Sequence, residues 1–246
     1  MSRVLIVTGG SRGLGAATCI GAAEAGYEAI CVNYVGNKER ADQVVAACEA
    51  AGAKAIAVQA DITKEADINR LFETVDKELG TVTHLVNSAG IVGPYARVDE
   101  LDDWNALEEL WTLNITSTMI CCREAIKRMS TKHDGKGGAI VNLSSAASHL
   151  GGAGVNVPYA ASKGAIDSMN WGMAQEVAAE GIRVNAVSPG VIDTEIQPEG
   201  RVEAVGPNLP MKRVGQAPEV ANAILFLLSD EASYIAGTKV NVSGAR

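Results

Sequence analysis

Short β-branched runs alternate with longer stretches of helical periodicity along this chain, and no other feature limits its fold as tightly. The runs are Val4–Thr8, Ala29–Asn33, Ala55–Gln59, His84–Asn87, Ala139–Leu143, Arg183–Ser188 and Thr238–Val242. Helical patterns cover Gly13–Ala25, Lys38–Ala51, Lys64–Leu79, Trp104–Met129, Tyr159–Glu180 and Pro218–Leu228. The strand runs are close to continuously apolar, as a parallel sheet covered on both faces requires. Parallel neighbours need crossover connections, and these are right-handed. The expected architecture is therefore α/β and doubly wound, a seven-stranded parallel sheet with helices on both faces. Such a sheet binds ligands beyond the C-terminal strand ends, where the strand order reverses.

A chain of 246 residues is read as one domain, 1–246. One stretch fits neither period: 192–216 holds Pro198, Pro207 and Pro210 with Gly200, Gly206 and Gly215. An irregular segment that long inside a compact domain is usually functional, so a substrate lid is expected there. Acidic residues outnumber basic ones, 29 to 21, for a net charge of −8, which argues against a nucleic-acid partner. No apolar run approaches the roughly 20 residues of a membrane span, so no membrane partner is expected. Cys19, Cys31, Cys48, Cys121 and Cys122 form no C-x-x-C pair and read as small buried hydrophobes. An odd cysteine count without an export signal predicts a cytoplasmic protein. His84, His133 and His149 are scattered, so no metal site is expected.

Strand Val4–Thr8 runs directly into Gly9-Gly10-Ser11-Arg12-Gly13-Leu14-Gly15 and then a helix. Glycines permit a tight turn and close approach to a pyrophosphate, and the helix N-terminus supplies free N–H donors. The spacing is G-x-x-x-G-x-G, and with the Thr8 lead-in it resembles the cofactor loop of the short-chain dehydrogenase/reductase family. The resemblance extends over nearly the whole chain. Asp61-Ile62, Asn87-Ser88-Ala89-Gly90, Asn114, Asn142-Leu143-Ser144-Ser145, Tyr159-Ala160-Ala161-Ser162-Lys163, Pro189-Gly190 and Thr194 each match a family motif. Ser88 stands where the family pattern has a second Asn, and the C-terminus lacks the usual Asp-Gly-Gly finish.

The resemblance implies a Rossmann-type fold and hydride transfer between a nicotinamide and a carbonyl or secondary alcohol. Tyr159 becomes the general acid/base, Ser145 the stabiliser of the substrate oxygen, Lys163 the group that tunes the tyrosine, and Asn114 the holder of a relay water. Tyr159 and Lys163 are four apart, which puts them on one helix face. The segment after Ser145 is about one residue longer than in many relatives, which leaves open whether Ser144 shares its role. The implied cofactor residues are Gly9, Ser11, Arg12, Gly13, Leu14, Asn33, Tyr34, Asp61, Ile62, Asn87, Ala89, Gly90, Tyr159, Lys163, Pro189, Gly190, Ile192 and Thr194.

The end of the second strand selects the cofactor. An acid there binds the ribose 2′-OH of NAD, whereas a nearby Arg accepts the 2′-phosphate of NADP. Here Asn33-Tyr34 occupies that point, no acid follows until Glu39, and Arg12 lies in the glycine loop. NADP(H) is therefore expected over NAD(H). The mostly apolar residues of the lid and of 146–157 favour a small to medium carbonyl substrate. A 3-oxoacyl-thioester reductase and a sugar dehydrogenase are the enzymatic alternatives; a non-catalytic NADP(H)-binding sensor is the alternative outside catalysis. The resemblance also implies a homotetramer. Arg123, Lys127, Arg128, Lys132 and Lys136 form a basic stretch read either as a solvated helix end or as a dock for an acyl carrier protein.

Overall fold

The computed structural model describes residues 2–246. Its strands are β1 (Val4–Thr8), β2 (Ala29–Tyr34), β3 (Lys54–Gln59), β4 (His84–Asn87), β5 (Gly138–Leu143), β6 (Ile182–Pro189), β7 (Ile192–Asp193), β8 (Gly215–Gln216) and β9 (Lys239–Val242). The helices are α1 (Gly13–Glu24), α2 (Lys38–Ala50), α3 (Glu65–Glu78), α4 (Trp104–Trp111), α5 (Ser117–Met129), α6 (Ala147–Leu150), α7 (Val157–Val177), α8 (Arg201–Val205) and α9 (Ala217–Leu228). The main sheet has seven strands in the order β3-β2-β1-β4-β5-β6-β9. Every neighbouring pair in it is parallel, as the apolar runs predict.

Side chains alternate across β1 and build a core on each face. Leu5 and Val7 pack with α1, α2 and α9, while Val4 and Ile6 pack with α3, α5 and α7. Leu5, Ile6 and Val7 are wholly buried, and each such burial contributes about 1.5–3 kcal/mol. All five cysteines are free and buried in these two layers. Both cores thus clamp β1, whose C-terminal end carries the glycine loop. The chain winds from β1 out to β3 on one side and returns to β4 on the other, so a crevice opens between the ends of β1 and β4.

Two segments depart from their sequence pattern. The periodicity predicts one helix over Trp104–Met129; instead a π-helical turn, Thr112–Thr116, separates α4 from α5. The segment 192–216 is not structureless: β7 pairs with β8, Ile192 opposite Gly215 and Asp193 opposite Gln216. Inside that loop Val191, Leu209 and Val214 form their own small cluster with Val202 and Val205. No helix is long and apolar enough to cross a membrane among the described residues, and none of their His, Cys, Asp and Glu side chains gather in a group of three or more that could hold a metal ion.

Candidate active site

A cleft of about 970 Å³ lies at the ends of β1, β2 and β4. That is the size of a site for a cofactor-sized ligand. Its floor is the glycine loop. Gly9 has φ of +64°, and a Cβ there would stand 2.9 Å from the Cα of Ala89, so only glycine lets these two loops touch. Arg12 caps α1 without a side-chain hydrogen bond, which leaves the first-turn N–H groups free for an anion. Asn33 fastens the loop from below: its Oδ1 accepts from the Gly9 N–H at 3.2 Å and its Nδ2 donates to Ala60 O at 3.0 Å. Thr8 fastens it sideways, its Oγ1 accepting from the N–H groups of Ser88 (3.1 Å) and Ala89 (3.2 Å).

Of the expected cofactor residues, Gly9, Ser11, Arg12, Gly13, Leu14, Asn33, Tyr34, Ile62, Ala89, Gly90 and Thr194 line this cleft. Thr194 leans on Gly13 from the start of the 192–216 segment. Asp61 lies outside it, its carboxylate held by the Thr63 hydroxyl (2.7 Å) and by Lys64 (3.1 Å). These contacts hold Asp61 below the ordinary carboxylate range. Asn87 turns into the sheet and donates to Asn142 Oδ1 at 2.9 Å. Pro189 and Ile192 are buried, and Gly190 admits the C-terminal segment, since a Cβ there would stand 2.8 Å from the Cα of Ser243.

The expected catalytic side chains converge beyond the end of β5. Tyr159 stands in the first turn of α7 and Lys163 in the next. The Ser145 hydroxyl faces the Tyr159 phenol closely enough to act on its titration, and it accepts from Ala147 N at 3.1 Å. Burial pushes that phenol above its ordinary value, and the nearby Ser145 hydroxyl offsets part of the rise. Lys163 is buried, with Nζ 5.8 Å from the Tyr159 ring centre, and it donates to Leu143 O at 2.8 Å. Its desolvation brings it down to about 8, against a smaller upward pull from Asp167. Asn114 sits in the π-turn with its amide fully used. It accepts from Ile91 N at 3.0 Å and donates to Ile91 O at 2.9 Å and Ser162 Oγ at 3.0 Å. Ser144 turns away from the phenol and donates to Asp167 Oδ1 at 2.5 Å.

A family model described as Enoyl-(Acyl carrier protein) reductase matches residues 9–244. Over 247 residues the chain is 46% identical to Uncharacterized oxidoreductase YgfF of Escherichia coli, with 99% of each covered. It is 36% identical over 245 residues to a 3-oxoacyl-(acyl-carrier-protein) reductase of Synechocystis, covering 99% of this chain and 96% of that one. Its fold matches a short chain dehydrogenase from Burkholderia cenocepacia in complex with NADP, with a TM-score of 0.91 at 30% identity; 99% of this chain and 97% of that one are covered. The chain belongs to the short-chain dehydrogenase/reductase family. As a short-chain dehydrogenase/reductase it is an oxidoreductase of carbonyl and alcohol groups.

The cleft of this short-chain dehydrogenase/reductase is also lined by residues outside the expected cofactor set, among them Ser88, Arg40, Tyr95 and Glu195. Arg40 follows the helix cap Asn37, whose side chain accepts from the Arg40 N–H at 3.0 Å. That position beside the end of β2 was the available signal. Glu195 left no local signal, because its partners are far away in sequence. It pairs with Arg12 at 3.8 Å and also with Arg40.

Proposed function

We propose that this chain is an NADP(H)-dependent oxidoreductase that interconverts a carbonyl and a secondary alcohol on a small to medium substrate. The observation that carries this reading is the convergence of Ser145, Tyr159 and Lys163 on one face beyond β5, beside a cleft built to take an anion at a helix N-terminus. Gly9, Gly13 and the free N–H groups of α1 would hold a pyrophosphate, and Ile62, Ala89 and Gly90 the adenosine side. Thr194 would hold the carboxamide of the nicotinamide. When bound, the nicotinamide supplies or takes up the hydride. Ser145 donates a hydrogen bond to the substrate oxygen, where negative charge develops. Tyr159 gives that oxygen a proton in reduction and removes it in oxidation. Lys163, held by Leu143 O, supplies the positive charge that favours the phenolate. Asn114 positions this pair, because its amide ties Ile91 to Ser162 on α7.

Two guanidiniums at the cleft mouth, Arg12 and Arg40, favour a 2′-phosphate over a bare hydroxyl. Their present partner, Glu195, is exposed, and an exposed pair of this kind is worth no more than about 1 kcal/mol. A phosphate dianion therefore displaces it. The test is direct binding of NADPH and NADH by fluorescence. Arg12→Ala and Arg40→Ala should each weaken NADPH about tenfold, the scale of one charge-assisted hydrogen bond, and leave NADH nearly unchanged. Equal loss for both cofactors overturns the NADP(H) preference.

The 192–216 segment acts as a substrate lid on this single domain, tied at its base by the β7–β8 pair. Ile196 and Met211 on this segment, and Leu150 and Val155 on 146–157, are exposed and suit an apolar substrate. Arg123, Lys127 and Arg128 on α5 pair with Glu124, Glu65 and Asp76, which favours reading this part of the basic stretch as a solvated helix end. Exposed Trp104, Met119 and Trp171 on α4, α5 and α7 fit burial in a homotetramer of a cytoplasmic enzyme.

A further inference from the structure

Asp167 lies on α7 one turn beyond Lys163 and two beyond Tyr159, so the three share a face. Both of its carboxylate oxygens are engaged. Oδ1 accepts the Ser144 hydroxyl at 2.5 Å and Oδ2 accepts Lys239 Nζ at 2.7 Å. Lys239, on the edge strand β9, also donates to Ser148 Oγ at 3.2 Å. Ser148 in turn closes the turn that carries Ser145, its N–H bonding Ser145 O at 3.0 Å. The Asp167–Lys239 pair therefore grips the residue before Ser145 and the residue three after it. Both members are partly shielded from solvent, so each bond is stiffer than a surface contact.

We infer that Asp167 and Lys239 form a positioning clamp that fixes the Ser145 hydroxyl against Tyr159. This rests on the reading that Ser145 and Tyr159 act on the substrate oxygen. The geometry gives the reason. Ser145 sits in a turn between β5 and α6, while Tyr159 and Lys163 sit on α7. The Ser144 and Lys239 contacts of Asp167 tie that turn to the helix from both sides. A misplacement of about 1 Å at a reacting group can cost on the order of a hundredfold in rate, so a device that sets this distance has a catalytic effect without touching substrate.

The experiment measures kcat and KM for Asp167→Asn, Lys239→Met and Ser144→Ala on the carbonyl that the wild type reduces. The panel is an acetoacetyl thioester, a vicinal diketone, an aromatic ketone, an aldehyde and a keto-sugar. Tyr159→Phe is run beside them, and NADPH affinity is read by fluorescence. Asp167→Asn and Lys239→Met should each lower kcat about tenfold, leaving KM and NADPH affinity within about twofold. Asp167→Glu should recover part of the loss. In a Ser145→Ala background Asp167→Asn should cost less than about twofold, since the group it positions is gone. A purely structural role would cost the same factor in both backgrounds, and that result overturns the clamp. So does a normal kcat in Asp167→Asn while Tyr159→Phe is inactive, which leaves the functional reading standing. If Asp167→Asn does not fold, Ser144→Ala carries the test, and an unchanged kcat there overturns the clamp. Silence of the wild type on the whole panel overturns the functional reading and the clamp together.

Discussion

Lys163 carries the central tension at the scale of single residues. A buried ammonium with its titration brought down to about 8 costs stability at neutral pH, because the unfolded chain holds that proton more tightly. Its contribution is fully present above the ordinary lysine value of about 10.4 and is lost as pH falls through about 8. Lys163→Met removes the cost along with the charge. Relative to wild type, this variant should be most stable near pH 7, and its advantage should shrink as pH rises from 8 to 9 and vanish only above about 10.4. Denaturant melts of both proteins across that range check it, and an advantage that grows with pH would contradict the burial argument. Asn33 carries two roles at once. Expected as a cofactor contact, it lines the cleft and is also a buried tether whose amide holds the glycine loop. Its residue type was legible at the end of β2, but its three-dimensional partners were not.

Among the elements, the strands were the most legible because their apolar runs encode burial on both faces directly. The π-turn was not, because Thr112–Thr116 has the same helical periodicity as its flanks. Only the extra residue in the turn re-aims Asn114 toward Ile91 and Ser162. Asn114→Ala would leave Ile91 N and O unpaired at this point, costing about 2 kcal/mol or more. Chemical denaturation should show that loss with an unchanged m-value, together with a fall in kcat. Unaltered stability would mean that the turn is held by its helix neighbours alone. The β7–β8 pair was hidden for a different reason: two residues of ladder are too short to leave a pattern. Tyr159 falls within the first turn of α7 because Pro158 suits the opening of a helix, which moves the start to Val157.

For the molecule as a whole, a doubly wound parallel sheet with a crevice at its switch point follows from alternation and handedness, but the strand order that puts that crevice between β1 and β4 does not. Nor do the long-range pairs that finish the site. Glu195 with Arg40 and Asp167 with Lys239 join residues whose partners no local pattern names. At the opposite end of the sheet, His84 packs edge-on to Tyr27 at 5.0 Å and is brought down to about 4, first by burial and then by Arg183 and Arg3. Its contribution to stability is fully present above the unfolded value of about 6.5 and is lost as pH falls through about 4. The slope is about 1.4 kcal/mol per pH unit for this one proton. His84→Gln should flatten the acid side of the stability profile by that amount, and an unchanged slope would show that other groups dominate acid unfolding.

The central claim is that Tyr159 moves the proton while the cleft beside it holds NADPH. The most direct measurement follows NADPH oxidation by the wild type and by Tyr159→Phe on the same carbonyl, with NADPH affinity recorded for both. Loss of one hydroxyl should abolish turnover and leave NADPH binding within about twofold, since the general acid typically contributes a factor of about 100 to 10,000. Comparable turnover in the variant would contradict the claim and assign the proton to another group.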